Sequence, residues 1–197
     1  MGISSGLNPQ SDATPIDPEE AAELIPSHIA TIDQLNQWEA ADILNATEWA
    51  LRRKQSNVPS EGFVRRLHQR MFHQTWKWAG HYRATEKDLG SPPSLISTHV
   101  RDACGNAAYW LQHKVFPPTE LAVRFHHRMV VVHPFPNGNG RHARLLADVV
   151  LASLDEPELT WGRTNLQQAG TAREDYIRAL KLADKGDFQS LIELARA

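Results

Sequence analysis

The amino-acid sequence predicts an all-α protein, and two features carry this prediction. Apolar residues recur three or four positions apart over most of the chain, as at Phe63, Leu67 and Met71, which is the spacing of one face of a helix. Prolines such as Pro26 and Pro59 interrupt these stretches and divide them into helices of ordinary length. The chain contains no internal repeat, heptad array or low-complexity segment, so we interpret it as one helical bundle.

Size and composition favour a single soluble domain. The chain has 197 residues, of which 41% are hydrophobic and 22% charged, enough for one core but too few for two comfortable domains. The net charge of -2 argues against nucleic acid as a partner, because binding it requires a basic surface. A lone cysteine, Cys104, and the absence of a signal sequence or membrane-spanning apolar run predict a cytoplasmic location without membrane contact.

We expect a loose leader over residues 1–13 and a single domain over residues 14–197. Helices are predicted to fill residues 14–58, the first starting at Asp17 and the second at Thr31. Further helices are expected over 94–114, from Pro117 to the segment before residue 133, and after Arg144, where a nearly all-apolar run predicts the central buried helix. Thr171–Glu174 has the pattern of a capping box that opens another helix.

Residues 80–93 are the least helical part of the chain. The run from His81 to Gly90 is a candidate for a small β-hairpin or flap, although an ordinary surface loop fits the same residues.

The segment from Val131 to Leu146, with the sequence VVHPFPNGNGRHARLL, carries the clearest chemical signal. A turn-forming run at residues 138–140 opens a helix, whose first N–H groups and positive dipole end suit an anion. Arg141 and Arg144 lie three positions apart, on one face of that helix, and guanidinium groups bind phosphate oxygens well. His133 precedes the turn and is placed to act as a base beside a bound phosphate. The residues alone therefore predict a polyphosphate site.

The same residues resemble the signature of the Fic/Doc family, His-Pro-Phe-x-(Asp/Glu)-Gly-Asn-Gly-Arg-x-x-Arg. The resemblance extends upstream through Trp78–Arg83 and Pro92-Pro93. Ile25–His28 and Leu35–Glu39 resemble a subgroup called mobile mystery protein B. This resemblance implies a Fic-type helical bundle with a small β-hairpin flap beside an active-site loop at residues 133–141.

The resemblance also implies an activity, which is transfer of AMP from ATP to a Ser, Thr or Tyr hydroxyl of a target protein. His133 would be the general base, with a pKa near about 6.5 if unperturbed. Gly138, Asn139 and Gly140 would cradle the phosphates, Arg141 would neutralise the leaving pyrophosphate, and Arg144 would orient the γ-phosphate. Pro134 and Phe135 are expected to have structural roles at the site.

The chain departs from the family pattern at Asn137, where the family has Asp or Glu as the Mg²⁺ ligand. A carboxamide oxygen still coordinates Mg²⁺, or Mn²⁺ in its place, but binds it more weakly. The metal could instead be held mainly by the phosphates of ATP. Other Fic chemistries, namely phosphate transfer or removal of AMP, therefore stay open, as does a catalytically weak nucleotide-binding pseudoenzyme.

Regulation and partners are further expectations from the resemblance. Many Fic proteins carry an inhibitory Glu that pairs with the second motif arginine, and we expect Glu19, Glu20 or Glu23 to pair with Arg144 if this chain is inhibited in that way. The alternative is that these acids only favour a helix N-terminus. A target protein would dock along the flap, and an antitoxin or regulatory partner and a homodimer fit the family. The bacterial subgroup name suggests carriage on mobile genetic elements.

Histidines offer one other interpretation, which is a metal-dependent hydrolase. His126, His127, His133 and His142 lie within a short stretch, but no cysteine or carboxylate cluster completes a recognisable zinc spacing. We therefore rank this interpretation below the phosphate site.

Overall fold

The computed structural model describes residues 22–26, 28–29, 32–52, 54–161 and 170–197. The predicted leader, the expected helix start at Asp17, Glu19, Glu20 and the start at Thr31 lie outside these residues. Within the described residues the protein forms seven α-helices: α1 Ile32–Leu51, α2 Glu61–Phe72, α3 Ile96–His113, α4 Pro118–Val132, α5 Asn139–Ser153, α6 Thr171–Ala183 and α7 Gln189–Arg196. A 3-10 turn at Pro93–Leu95 precedes α3. The predicted all-α class is confirmed.

The centre of the bundle is α5, as the apolar run after Arg144 predicted. It packs most extensively on α4, and α1 and α2 also contact it. Nine of its residues are buried: Asn139, His142, Ala143, Leu145, Leu146, Ala147, Val149, Val150 and Leu151. Because α4 and α5 are antiparallel neighbours joined by a short loop, the residues between them are held at one end of the most deeply buried helix pair.

The start of α2 shows how local sequence fixes the bundle. The Ser60 hydroxyl accepts a hydrogen bond from the Phe63 N–H at 3.2 Å, which satisfies one of the donors that every helix start leaves free. The apolar face that follows, including Phe63, Leu67 and Met71, is buried as predicted. One turn further along, α2 therefore presents His68 and Phe72 to the loop between α4 and α5.

Residues 81–92 do not form the expected β-hairpin, since no paired strands occur there in the described chain. Arg83 explains the difference. Its guanidinium donates to the carbonyls of Thr85 (2.8 Å) and Ser91. The N–H groups of Arg83 and Ser91 donate to the carbonyls of Pro134 in the α4–α5 loop and of Val132 at the end of α4, at 3.0 Å each. The main-chain groups that a hairpin would pair with one another are thus used elsewhere. We call residues 83–91 the bracing segment.

The capping box predicted at Thr171 is also wrong. Thr171 is already the first helical residue of α6, Gly170 is the N-cap, and no side chain caps this end. The Glu174 N–H bonds instead to the Gly170 carbonyl at 3.1 Å. Once Thr171 has entered the helix, its hydroxyl no longer reaches the N–H three residues on, as an N-cap side chain does.

None of the helices in the described part of the chain is long and apolar enough to cross a membrane.

The N-terminal helix α1 is joined to the bundle centre by a buried ion pair. Glu39 on α1 is 3% exposed, and its Oε2 lies 2.6 Å from Nη1 of Arg141 on α5. Its other oxygen accepts a hydrogen bond from the Trp76 indole at 2.7 Å. A second acid of α1, Asp42, accepts the Gln74 N–H at 3.0 Å. Two carboxylates of α1 therefore fix both the turn after α2 and a motif arginine.

We predict that Glu39→Gln lowers the free energy of unfolding by about 3 kcal/mol, because removing one partner leaves a buried guanidinium without its counter-charge. The matched control is Asp155→Asn, which breaks the exposed Lys54–Asp155 pair of 2.5 Å and should cost less than about 1 kcal/mol. Urea unfolding at fixed pH and salt measures both. Equal, small effects would contradict this account of the pair.

Candidate active site

The predicted phosphate loop lies between the end of α4 and the start of α5. His133 ends α4 in the left-handed conformation (φ 49°, ψ 59°), with its N–H bonded to the Met129 carbonyl at 3.1 Å. Gly138 is the N-cap of α5, and its backbone is also left-handed, with φ 76°. Two left-handed residues close the turn tightly, so the first N–H groups of α5 face the same end of the bundle as His133. Such a helix start is suited to an anion.

The Asn139 side chain stabilises the loop through two hydrogen bonds to the Phe135 main chain. Its Oδ1 accepts the Phe135 N–H at 2.9 Å and its Nδ2 donates to the Phe135 carbonyl at 2.8 Å. Both ends of the amide side chain are thus bonded to Phe135, and we expect Asn139 to offer a phosphate its main-chain N–H. Gly138 and Gly140 are the other residues predicted to bind the phosphates. They have no side chains, so they can offer only main-chain groups.

His68 supports the loop from α2, and the sequence interpretation did not identify it. The Gly80 N–H donates to its Nδ1 at 3.0 Å. Since Nδ1 accepts, Nε2 carries the proton and donates to the Asn137 carbonyl at 3.1 Å. Burial, the nearby His142 and Arg141 together hold the pKa of His68 well below its usual value, so this support does not change with pH near neutrality.

The predicted structural residues lie where the loop meets the core. The Phe135 ring is fully buried and stacks on the His68 ring, with centroids 3.6 Å apart and planes 13° from parallel. The Pro134 carbonyl accepts a hydrogen bond from the Arg83 N–H.

The sequence contained a signal for the role of His68. It is a polar residue on the apolar face of a predicted helix, between Val64 and Phe72.

The imidazole of His133 has the properties of a base. It is buried, and its Nε2 makes no hydrogen bond within the described chain. Burial first, and then the positive charges of Arg83 and Lys87, lower the pKa of His133 to about 4. The ring is therefore neutral at pH 7 and can accept a proton.

The two motif arginines are each held by a different partner. Arg141 pairs with Glu39 and lies over the Phe72 ring, 5.0 Å from its centroid. The Arg144 guanidinium lies 6.0 Å from the centroid of the Tyr176 ring of α6, and burial lowers the pKa of Arg144. An ideal Cβ at Gly140 would lie 3.7 Å from Arg144 Nη1, so this guanidinium lies close to the first turn of α5.

Glu39 and Tyr176 were not predicted as site residues. Glu39 lies in the Leu35–Glu39 stretch that was noted only for its resemblance, and an acid in the middle of a partly apolar helix was the available signal. Tyr176 is separated from Arg144 by more than thirty residues, so nothing in the sequence pairs them.

The pairing of an inhibitory Glu19, Glu20 or Glu23 with Arg144 stays a prediction. Glu19 and Glu20 are outside the described residues. Glu23 is described: its carbonyl accepts the Lys77 N–H at 3.0 Å beside an antiparallel bridge between Leu24 and Trp76. Among the described residues, Glu39 pairs with the first motif arginine, Arg141, and Asp148 of α5 acts on the second, Arg144, through its charge.

The residues present do not build a site for a divalent metal on their own. The Asn137 Oδ1 already accepts the Gly138 N–H at 2.6 Å, and Glu39 is neutralised by Arg141. No group of three His, Cys, Asp or Glu side chains that could hold a metal occurs in the described ranges. A metal ion would therefore have to bring most of its ligands with it.

The histidines of the hydrolase interpretation are dispersed among protein partners. His126 bonds to the Tyr176 hydroxyl, His127 to Asp184 and His142 to the Val64 carbonyl, each at 2.9 Å. Burial lowers the pKa of His126 to about 3 and that of His142 to about 4. These are neutral structural residues, not a metal cluster.

Fold and loop together define a class of protein, a helical bundle in which a buried, neutral histidine precedes a helix start of the kind that suits an anion. Residues 59–151 match the family model described as the Fic/DOC family.

Two relatives illustrate the sequence similarity. The chain is 29% identical over 160 residues to "Protein adenylyltransferase Fic" of Nematostella vectensis, covering 78% of this chain and 34% of the relative. It is 30% identical over 106 residues to a probable protein adenylyltransferase of Aquifex aeolicus, covering 53% of this chain and 29% of that protein. The chain thus spans about a third or less of the curated relatives it matches.

Solved structures share the fold. BepC of Bartonella tribocorum, solved with bound AMPPNP, aligns with a TM-score of 0.69 at 16% identity over 91% of this chain and 97% of that chain. Residues 134–508 of Fic-1 from Caenorhabditis elegans align with a TM-score of 0.62 at 23% identity over 90% of this chain and 52% of that chain. At these identities the likeness shows the fold alone.

We predict that Gly138→Ala reduces ATP affinity at least about tenfold, because an added Cβ would lie 2.6 Å from Phe72 Cε2 and a left-handed alanine is strained by about 1 kcal/mol. The loop must move to relieve both. The control is Gly105→Ala on α3, where nothing lies within 4 Å and helix propensity should stabilise the protein by up to about 1 kcal/mol. Calorimetric binding and thermal unfolding measure the two effects. Unchanged ATP affinity in Gly138→Ala would show that the cradle is not the nucleotide site.

Proposed function

We propose that this protein transfers AMP from ATP to a hydroxyl side chain of a target protein. The observation that carries the proposal is the buried, unbonded and neutral Nε2 of His133 next to the start of α5. Nucleotide binding alone requires no base at this position. The names of the curated relatives, which are protein adenylyltransferases, support the same activity.

In the proposed reaction His133 accepts the proton of a Ser, Thr or Tyr hydroxyl at Nε2. The hydroxyl oxygen forms a bond to the α-phosphorus of ATP, and the bond from that phosphorus to the bridging oxygen of the β-phosphate breaks. Pyrophosphate leaves with the bonding electrons. The first N–H groups of α5, at Asn139, Gly140 and Arg141, stabilise the phosphate oxygens, and the guanidinium groups of Arg141 and Arg144 balance the charge that develops on pyrophosphate.

The metal in this proposal, Mg²⁺ or Mn²⁺, arrives with ATP and is held mainly by its phosphates. When bound it supplies charge neutralisation of the triphosphate. The state of Asn137 favours this arrangement, because its side-chain oxygen is engaged by Gly138. The same observation favours a second candidate, a nucleotide-binding module with weak or altered phosphate chemistry.

Target and setting are proposals from the resemblance. A target protein would dock beside the bracing segment, where Leu89 is exposed. We propose a bacterial, cytoplasmic protein of the mobile mystery protein B type, in which an antitoxin or a second copy of the chain would be the regulatory partner.

We predict that ATP labelled at the α-phosphate labels proteins of a bacterial lysate, that γ-labelled ATP does not, and that His133→Ala reduces labelling by at least about 100-fold, because general-base catalysis contributes on that scale. Gel autoradiography with Mg²⁺ or Mn²⁺ measures this.

The control for His133→Ala is His113→Ala, an exposed histidine at the end of α3, which should keep full activity. Label from the γ-position alone would make the protein a kinase. No label from either, with ATP still bound, would identify the nucleotide-binding module.

We predict that Asn137→Asp lowers the Mg²⁺ concentration for half-maximal activity by roughly tenfold or more, since the affinity of oxygen sites rises with ligand charge. Asn106→Asp, an exposed position on α3, is the control for a general charge effect. A metal titration of initial rates measures the change. An unaltered titration curve would show that residue 137 does not approach the metal.

A further inference from the structure

The bracing segment makes an unusual set of bonds to the residues around His133. Three consecutive carbonyls, of Val132, His133 and Pro134, each accept a hydrogen bond from this segment. The donors are the Ser91 N–H at 3.0 Å, the Arg83 Nε at 2.8 Å and the Arg83 N–H at 3.0 Å. Two of these three bonds come from Arg83.

Arg83 also closes the bracing segment on itself. Its Nη1 donates to the Thr85 carbonyl at 2.8 Å and its Nη2 to the Ser91 carbonyl. The residue is 4% exposed. One guanidinium therefore ties both ends of the segment to each other and to the His133 main chain.

The location suits a cation. His133 is the C-cap of α4, where the last carbonyls of a helix lack partners within the helix and carry partial negative charge. A guanidinium there satisfies the His133 carbonyl and stabilises a left-handed histidine, a conformation that non-glycine residues avoid because their Cβ lies too close to the following carbonyl oxygen.

Gly90 brings the bracing segment into direct contact with the base. An ideal Cβ at Gly90 would lie 2.7 Å from the His133 Cβ, 2.7 Å from Arg83 Nη2 and 3.1 Å from the Val132 carbonyl. Only glycine allows this approach, and its φ of 102° requires glycine as well.

We propose that Arg83, seated against Gly90, is the positioning residue for His133: it holds the main chain of the base in the left-handed turn and so aims the imidazole at the phosphate cradle. This inference rests on the proposed function for the catalytic role of the imidazole. The position that Arg83 gives to the His133 main chain is independent of which group is transferred.

The positive charge of Arg83 also acts on the pKa of His133. The charged groups that act on the imidazole are Arg83 and Lys87, both from the bracing segment. On the other side of that segment His99 of α3 is bonded to the Ser91 hydroxyl at 2.7 Å. Removing the Arg83 charge should therefore raise the pKa of His133, and the base should become protonated, and inactive, at a higher pH than in the natural protein.

The experiment compares Arg83→Gln, Arg83→Lys and Arg65→Gln. Arg65 is the matched control, because its Nε also donates to a loop carbonyl, that of Gly80 at 3.0 Å, but away from His133. We expect Arg83→Gln and Arg83→Lys to lower kcat about 10- to 100-fold, since a base displaced by about 1 Å loses this much. The KM for ATP should change less than about threefold, because neither variant touches the cradle. Arg65→Gln should keep kcat within about twofold.

The second readout is the titration of the His133 imidazole by NMR, assigned by comparison with His133→Ala. Arg83→Gln should raise its midpoint by about one pH unit, whereas Arg83→Lys, which keeps the charge, should leave it in place. A purely structural role would lower activity in both variants without this difference between them. An unshifted midpoint in folded Arg83→Gln, or a kcat equal to that of Arg65→Gln, would overturn the proposal.

If the Arg83 variants do not fold, Gly90→Ala tests whether contact between the bracing segment and His133 is needed for activity. Its control is Gly186→Ala, which has nearly the same φ of 93° but nothing within 4 Å, so that backbone strain is matched and only the contact with His133 differs. A larger loss of kcat in Gly90→Ala supports the proposal, and equal losses refute it. Because the NMR titration needs no turnover, absence of AMP transfer with the expected midpoint shift would refute the proposed function and leave the positioning role intact.

Discussion

The structure depends on the left-handed turn that His133 makes at the end of α4. This turn sends the chain back into α5, the central helix, and places His133, the proposed base, in the loop that leads to that helix. Left-handed histidine is unfavourable in isolation, and the carbonyls of residues 132–134 are correspondingly all bonded by the bracing segment. On the opposite side His68 binds the Asn137 carbonyl. The loop is thus fixed from two directions, and neither support depends on a bound nucleotide.

Three buried or partly buried arginines surround this loop, and each is stabilised by a different kind of group. Arg83 is bonded to main-chain carbonyls at a helix end and Arg141 to the carboxylate of Glu39, whereas Arg144 lies over the Tyr176 ring. Only Arg141 has its charge cancelled by a carboxylate among these contacts. A phosphate that reaches Arg144 meets a guanidinium that no carboxylate bonds directly and on which Asp148 of the same helix acts through its charge. A phosphate that reaches Arg141 meets a guanidinium already oriented by α1 and by the ring of Phe72. The N-terminal and C-terminal helices, outside the matched segment 59–151, both contribute to the site through these contacts.

Much of this arrangement could be predicted from the sequence, and the failures have identifiable causes. Helical spacing and proline positions gave the helix class, and the motif from His133 to Arg144 gave the loop, because both signals are local. The hairpin was wrong because a single side chain, Arg83, takes the carbonyls that strand pairing would use. Glu39 and Tyr176 were missed because their partners lie far away in the chain, and only packing brings them together. Asn137 was noticed as a departure, but its bond to Gly138 depends on a side-chain rotamer that sequence does not specify.

The most direct test of the account is a crystal structure of the protein with a non-hydrolysable ATP analogue. We expect the α-phosphate within reach of His133 Nε2, phosphate oxygens on the N–H groups of Asn139 to Arg141, and an unmoved bracing segment. A triphosphate bound in the opposite direction, with its γ-phosphate next to His133, would contradict AMP transfer. A nucleotide bound elsewhere would contradict the assignment of the site itself.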